Sequence, residues 1–210
     1  TQNGLKSFTF SSKNRRADVS FLSQKKNKNN YLIKIRIKGI TKTFKISKEL
    51  SNYKENILAS LSIICNYFDT KELKKNLFQG FSIPESRGSL IKYKKGLKKL
   101  TVLDESYNSN PLSLKFALRR FNSINIKTSK KYLLIGDMLE LGNYSKKLHI
   151  EIAKYINKSK VNKTYVYGRQ TKYTFNKLKP QIRGKILNNN MDIYNLINKD
   201  LPNNSFLMVK

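Results

Sequence analysis

Asp104-Glu105-Ser106-Tyr107-Asn108-Ser109-Asn110-Pro111, followed by Gly136-Asp137-Met138-Leu139-Glu140-Leu141-Gly142, is the pair of stretches whose reading decides the fold. Each comes directly after a short apolar run, residues 100–103 before the first and 132–135 before the second. Such runs, bounded by turn residues, read as buried strands. A polar turn that leaves a strand and feeds a helix is where open α/β sheets place ligands. Two such turns on successive strands point to one crevice.

Outward from these turns the order is regular. Helices are expected over 113–121, 145–156, 171–178 and 191–197, with strands at 164–167, 185–187 and 205–209. Repeated βα units with continuous apolar strands imply a mainly parallel sheet with helices on both faces. Upstream the pattern changes to alternation at 7–10, 19–22, 31–37 and 43–46, the mark of half-buried strands. Lys38-Gly39 makes a hairpin of the last two. Residues 56–64 are apolar at helical spacing, and 70–77 read as a second short helix with Thr70 as its N-cap. This half, strands before helices, looks like the tail of a larger domain. Ile83-Pro84-Glu85-Ser86-Arg87-Gly88 breaks the pattern and can serve as a hinge, which sets domains at 1–84 and 85–210.

The 210 residues carry a formal net charge of +30, a balance expected of nucleic-acid binders. Yet the positive charge is mostly lysine, spread along the chain among Asn and Ile, while arginines are few and scattered. Phosphate and base recognition favour the planar guanidinium. Compositional bias with solvated lysine faces is the preferred explanation, and no specific nucleic-acid partner is expected. A basic α/β nucleic-acid-binding module is the alternative, and its affinity would collapse as salt rises. Cys65, the single cysteine, sits in an apolar run and is expected as a buried thiol, in keeping with a reducing cytoplasm. No apolar stretch approaches the length that crosses a bilayer. Thr1 is not an initiator Met and the chain stops on a strand-like run, so an internal fragment is expected.

The two opening stretches also carry a resemblance. With Arg87-Gly88 at the break, Asn56-Ile57-Leu58-Ala59 in the apolar helix, and Ser145 and Leu148-His149 after the second turn, the chain resembles the Mur ligase family. Within it, the wording of the two turns is that of the branch adding D-alanyl-D-alanine to UDP-N-acetylmuramoyl-tripeptide. The resemblance covers essentially the whole chain. It implies the end of a central ATPase domain followed by most of a Rossmann-like C-terminal domain, with Lys210 where the family's last strand runs into a Lys-Gly-Ser turn. The chain contains no Gly-x-x-x-x-Gly-Lys-Ser/Thr phosphate loop.

The implied reaction is ATP-driven amide formation through an acyl phosphate, in cytoplasmic peptidoglycan precursor synthesis. Its partners are UDP-N-acetylmuramoyl-tripeptide and D-alanyl-D-alanine, its cofactors ATP and magnesium, with the magnesium ligands and phosphate loop outside this chain; a monomer is expected. By resemblance, Asn56 faces the adenine, Arg87 the phosphates and Glu105 the ribose. An amide can read a base edge, a guanidinium neutralises phosphate, and a carboxylate accepts two hydroxyls. Tyr107, Asn108 and Asn110 either contact the dipeptide or form an Asx-rich turn that holds its own backbone. His149, one helical turn after Ser145, is read as a residue near the dipeptide pocket, as a packed one, or as a general base. The chain departs from the family at Asn52-Tyr53, where His-Asn is common, at Glu105 for Asp, at Ser109 for Ala and at Ser86 for Gly.

Overall fold

The computed structural model describes residues 7–126 and 130–210 and divides into two compact units, Thr1–Ile83 and Pro84–Lys210. In the first unit, strands β1 (Phe10–Ser11), β2 (Val19–Asn27), β3 (Asn30–Ile37) and β4 (Ile40–Ser47) form a sheet in sequence order. β1 pairs parallel to β2, and β2, β3 and β4 pair antiparallel. Lys38 and Gly39 both have positive φ, the two-residue turn whose twist suits a hairpin. Ile33, Ile35 and Ile37 of β3 and Phe44 and Ile46 of β4 alternate into the core. Helix α1 (Lys54–Ile64) covers them with Ile57, Leu58 and Leu61, and Cys65 is buried behind it.

The helix expected over 70–77 does not form. Thr70–Glu72 make one tight turn, capped not by Thr70 but by Asp69, whose carboxylate accepts the Lys71 N–H at 2.9 Å. The segment beyond is drawn to the open edge of β4. The Lys45 N–H donates to the Lys75 carbonyl at 2.7 Å, and Phe78 sets its ring edge-on to Phe44 at 5.6 Å. Sheet pairing and an aromatic contact win over a weak local helix propensity.

In the second unit the elements are β5 (Ser89–Lys95), β6 (Lys98–Asp104), α2 (Pro111–Ser123), β7 (Lys131–Gly136), α3 (Ser145–Asn157), β8 (Lys163–Tyr167), α4 (Thr171–Asn176), β9 (Arg183–Leu187), α5 (Asn190–Asn195) and β10 (Ser205–Val209). The sheet order is β5-β6-β10-β7-β8-β9. Five strands are parallel, and β5 alone runs antiparallel to β6. This is the expected α/β fold with a mainly parallel, Rossmann-like sheet. β5 lay unrecognised in the sequence because its lysines break the apolar pattern. An edge strand carrying lysine resists pairing with another chain.

Strand order and handedness fix which face each helix covers. From β6 to β9 the chain moves one way across the sheet, and right-handed crossovers place the helices α2, α3 and α4 on one face. The return from β9 to β10 reverses direction, so α5 lies on the other. The burial pattern agrees. Leu133, Ile135, Phe206 and Met208 pack with Leu114, Phe121, Ile152 and Ile156, whereas Tyr132, Leu134 and Leu207 pack with Leu196, Leu201 and Ile193. At the far end of α2, Lys131 Nζ donates to the carbonyls of Phe121, Asn122 and Ile124 at 2.6, 3.1 and 2.9 Å. These are carbonyls that a helix terminus leaves without partners.

Phe206 is fully buried on the central strand, its ring 4.5 Å from that of Phe121. Phe206→Ala should destabilise the second unit by about 3–5 kcal/mol, read from urea unfolding followed by circular dichroism. A loss below roughly 1 kcal/mol would place the core elsewhere.

Candidate functional site

The carboxyl ends of β6, β10, β7 and β8 surround a cavity of about 560 Å³. Tyr107, Asn108 and Ser109 line it from the first turn, Gly136, Asp137, Leu139 and Glu140 from the second, with Tyr167 and Lys210 between and beside them. The two turns follow strands that are successive in the chain, as expected, but not neighbours in the sheet. β10 separates them, pairing with β6 on one side and β7 on the other.

The first turn is tied to the residues before β5. Asp104 accepts Ser106 Oγ–H at 2.6 Å and the Ser106 N–H at 3.0 Å on one oxygen, and Ser86 Oγ–H at 2.9 Å on the other. Burial alone would raise the Asp104 pKa, but these three bonds more than offset it and hold the carboxyl below its ordinary value. The Tyr107 N–H donates to the Ser86 carbonyl at 3.1 Å, and the Gly88 N–H to the Asp104 carbonyl at 2.7 Å. Arg87, bracketed by these bonds, lays its guanidinium over the Tyr107 ring at 3.9 Å, in cation–π range. Glu105 is 9 % exposed and forms an ion pair with Arg120 at 3.1 Å, while Arg120 also donates to the Gly88 carbonyl at 2.6 Å.

Asp137 organises the second turn by accepting three backbone N–H groups, from Arg169 at 2.9 Å, Gln170 at 3.0 Å and Thr171 at 2.8 Å. Gly168 must be glycine, because its φ is +125° and a Cβ there would meet the Asp137 carboxyl at 2.4 Å. His149 is fully buried under the same turn. Its Nε2 accepts the Met138 N–H at 3.0 Å and its Nδ1 lies 2.8 Å from the Ser145 carbonyl. A backbone amide can only donate, so the proton belongs on Nδ1.

The structure thus brings Arg87, Glu105, Tyr107, Asn108 and Asn110 to one end of the second unit. Asn56 is exposed on the first turn of α1, in the other unit. Two residues take duties other than substrate contact. Both ring nitrogens of His149 hold backbone, which rules out a proton-transfer role in this arrangement and makes it the packed alternative. Asn110 caps α2, its Oδ1 accepting the Ser113 N–H at 2.8 Å while its own N–H donates to Ser113 Oγ at 3.0 Å. An exposed guanidinium fits a nucleotide phosphate. Glu105 fits a ribose less openly, since one oxygen is given to Arg120 and little of the side chain meets solvent. Among the described residues no group of three His, Cys, Asp or Glu is placed to hold a metal ion, and no helix is long and apolar enough to cross a membrane.

Arg120 is not singled out in the sequence, while Asp137 and Lys210 appear there only as part of the second turn and as the end of the last strand, with no role given to either. Asp137 was visible as the first acid after a strand. Arg120 was hidden among many other cations, inside a helix.

The family described as Mur ligase, glutamate ligase domain, matches residues 87–199. The chain belongs to the Mur ligase family. Over 133 residues it is 30% identical to a UDP-N-acetylmuramoyl-tripeptide–D-alanyl-D-alanine ligase of Bacillus subtilis, covering 63% of this chain and 28% of that protein. An enzyme of the same name from Rickettsia prowazekii is 30% identical over 118 residues, covering 56% of this chain and 25% of that protein. A crystal structure of a MurF ligase from Thermotoga maritima in complex with ADP aligns with a TM-score of 0.65 at 16% identity, over 93% of this chain and 43% of that one. The chain spans about a quarter of the length of these two curated relatives and under half of that solved structure. This Mur ligase chain therefore carries the fold of the family's C-terminal domain around the crevice described above.

Because the Asp104 pKa is depressed, its contribution to stability is complete above the ordinary 3.8 and is lost as pH falls through the lower folded value. Carboxyl-carbon NMR titration should find Asp104 titrating below 3.8. Ser86→Ala should move that value upward and shift acid unfolding to higher pH. An Asp104 pKa unmoved by Ser86→Ala would show that this hydroxyl does not stabilise the carboxylate.

Proposed function

We propose that this chain is part of an ATP-dependent ligase that adds D-alanyl-D-alanine to UDP-N-acetylmuramoyl-tripeptide in the cytoplasm, a step of peptidoglycan precursor synthesis. The observation that carries the reading is the joining of the two motif turns around one cavity at the carboxyl ends of β6, β10 and β7. The names of the Bacillus and Rickettsia relatives support the substrates, and the ADP in the Thermotoga enzyme supports a nucleotide.

In this reading ATP activates the tripeptide carboxyl as an acyl phosphate, and the dipeptide amine then attacks it. The residues of this chain bind and orient. Arg87, held over Tyr107, meets the nucleotide phosphates. Glu105, fixed by Arg120, faces the ribose, and Asn56 on α1 faces the adenine. Tyr107 and Asn108 form part of the cavity wall on the dipeptide side, with Asn110 and His149 shaping the turns behind it. Magnesium would be held by residues outside this chain.

Phosphoryl transfer depends on a phosphate cradle and bound magnesium to offset developing charge. The 210 residues alone should therefore neither hydrolyse ATP nor ligate the dipeptide. In the full-length ligase, Arg87→Ala should lower turnover about a hundredfold, the order seen when one preorganised electrostatic contact is removed. Lys95→Ala, on the solvated edge strand, should change it little. Equal losses from both substitutions in a phosphate-release assay would mean that overall charge, not the site, is what matters.

A further inference from the structure

The five parallel strands of the second unit finish at the crevice and begin at the opposite end, where the β5–β6 hairpin also turns. Charge is divided between these two ends. The connections leaving the strands, 105–110, 137–144, 168–170 and 188–189, hold Glu105, Asp137 and Glu140 and no lysine. The connections entering them carry Lys130, Lys158, Lys160, Lys177 and Lys179, and these are exposed, as is Lys99 near the start of β6. Asp200 is the one acid among the described residues of these connections, and it is already paired with Lys185 at 2.8 Å. A compositional bias toward lysine would load both ends alike. It does not account for the division.

Taken alone, the arrangement costs free energy. In the hairpin Lys94 stands directly opposite Lys99 and Lys95 opposite Lys98. Like charges in that position are destabilising. One pair turns to the α5 face, where Lys95 Nζ donates to the Tyr194 hydroxyl at 3.0 Å and Lys98 Nζ to the Leu201 carbonyl. Lys94 and Lys99, one residue along, point to the other face and are exposed. Farther across, burial lowers the Lys131 pKa and the charge of Lys160 lowers it again. At the hairpin tip Leu97 is 91 % exposed, the highest value for a large apolar side chain among the described residues. Its backbone is braced. Asn203 donates through Nδ2 to the Leu97 carbonyl at 3.0 Å, and its Oδ1 accepts the Lys99 N–H at 2.7 Å.

A leucine held rigidly in water beside a field of lysines matches a surface that is anionic outside and apolar just beneath. From β6 to β9 the lysines spread over four strand gaps of about 4.8 Å, roughly 19 Å in all, which is a broad face and not a groove. A nucleic acid is the poorer match. Its phosphates and bases favour the planar guanidinium. Arg183, which opens β9, is spent on the carbonyls of Leu178 and Asn176. Leu97 also has no ring on which a base could stack. We propose that this end of the second unit docks on an anionic lipid surface, with Leu97 entering the headgroup layer and the lysines facing the lipid phosphates. The crevice, at the opposite end of the strands, faces away from the lipid. This docking does not depend on the ligase reading.

The test is co-sedimentation of the 210-residue chain with vesicles of phosphatidylcholine alone, or of equal parts phosphatidylcholine and phosphatidylglycerol. Binding should be confined to the anionic vesicles and should weaken as salt rises. One basic residue near such a surface is worth about fivefold, so Lys160→Glu with Lys179→Glu should weaken binding about thirtyfold or more. Leu97→Ser should weaken it about tenfold, the order expected for one buried aliphatic side chain. Lys147→Glu with Lys172→Glu makes the same change in net charge at helix starts on the crevice side. Screening should hold its effect to about threefold. The substituted side chains are all exposed, so each variant should keep the parent's thermal melt by circular dichroism. Equal losses from the two double variants, unchanged binding by Leu97→Ser, or equal binding to both kinds of vesicle overturns the proposal. A DNA duplex that strips the chain from the vesicles at equal phosphate concentration would assign the face to nucleic acid and overturn it as well.

Discussion

The second unit depends on β10 filling the slot between β6 and β7. Without it the two motif turns would close on each other, because neighbouring strands lie only about 4.8 Å apart. With it they stand roughly 10 Å apart, twice that spacing, and the gap becomes a cavity. The pairing continues past the strand ends into the site. The Glu105 N–H donates to the Val209 carbonyl at 2.9 Å, the Lys210 N–H to the Leu134 carbonyl at 2.9 Å, and the Gly136 N–H to the Lys210 carbonyl at 2.8 Å. Glu105, Lys210 and Gly136 are thereby set side by side on rigid backbone. The same insertion requires the chain to return across the opposite face of the sheet, which is why α5 lies apart from the other helices.

Charge in this protein is informative where the fold fixes its place. The net +30 by itself says little about partners. Asp104, Glu105 and Asp137, three of only 13 acids, each stand at the end of a parallel strand and hold neighbouring groups in place. In so basic a chain, an acid retained at a strand end carries more meaning than another lysine on a helix. Arg120, Lys131 and Lys210 are among the cations drawn inward, each donating to backbone carbonyls.

Much of the parallel sheet was legible in the sequence because β7, β8 and β10 are short apolar runs bounded by turn residues, and burial on both faces demands such runs. β5 was not, since Lys92, Lys94 and Lys95 fill positions that an edge strand can leave in water. The helix expected over 70–77 failed because the β4 edge and Phe44 compete for that segment. In the site, the turns were visible by their wording, and Arg87 with Tyr107 by the motifs. The order of the strands was not visible. Local pattern carries no signal that β10 would enter between β6 and β7, and so none that Lys210 would face the cavity. His149 illustrates a different limit. A lone histidine after a motif reads equally as a ligand-side or a packed residue until its two nitrogens are accounted for.

The segment at the break is less free than its Pro and Gly content suggests. Ser86 has a φ of +59°, a conformation that costs about 1–2 kcal/mol for a residue with a Cβ. A glycine would adopt it with little strain. The serine hydroxyl offsets that strain by bonding Asp104, and its carbonyl accepts the Tyr107 N–H. On the other side of Arg87, Gly88 is fixed through its N–H to Asp104 and through its carbonyl to Arg120. Moving Arg87 relative to the crevice would break all four bonds, one of them to a charged guanidinium and one to a carboxylate. Bonds to charged groups contribute about 1.5–3 kcal/mol each. Arg87 is therefore tied to the second unit's sheet through both of its neighbours, Ser86 and Gly88. An arginine fixed on both sides in this way keeps its guanidinium over the Tyr107 ring.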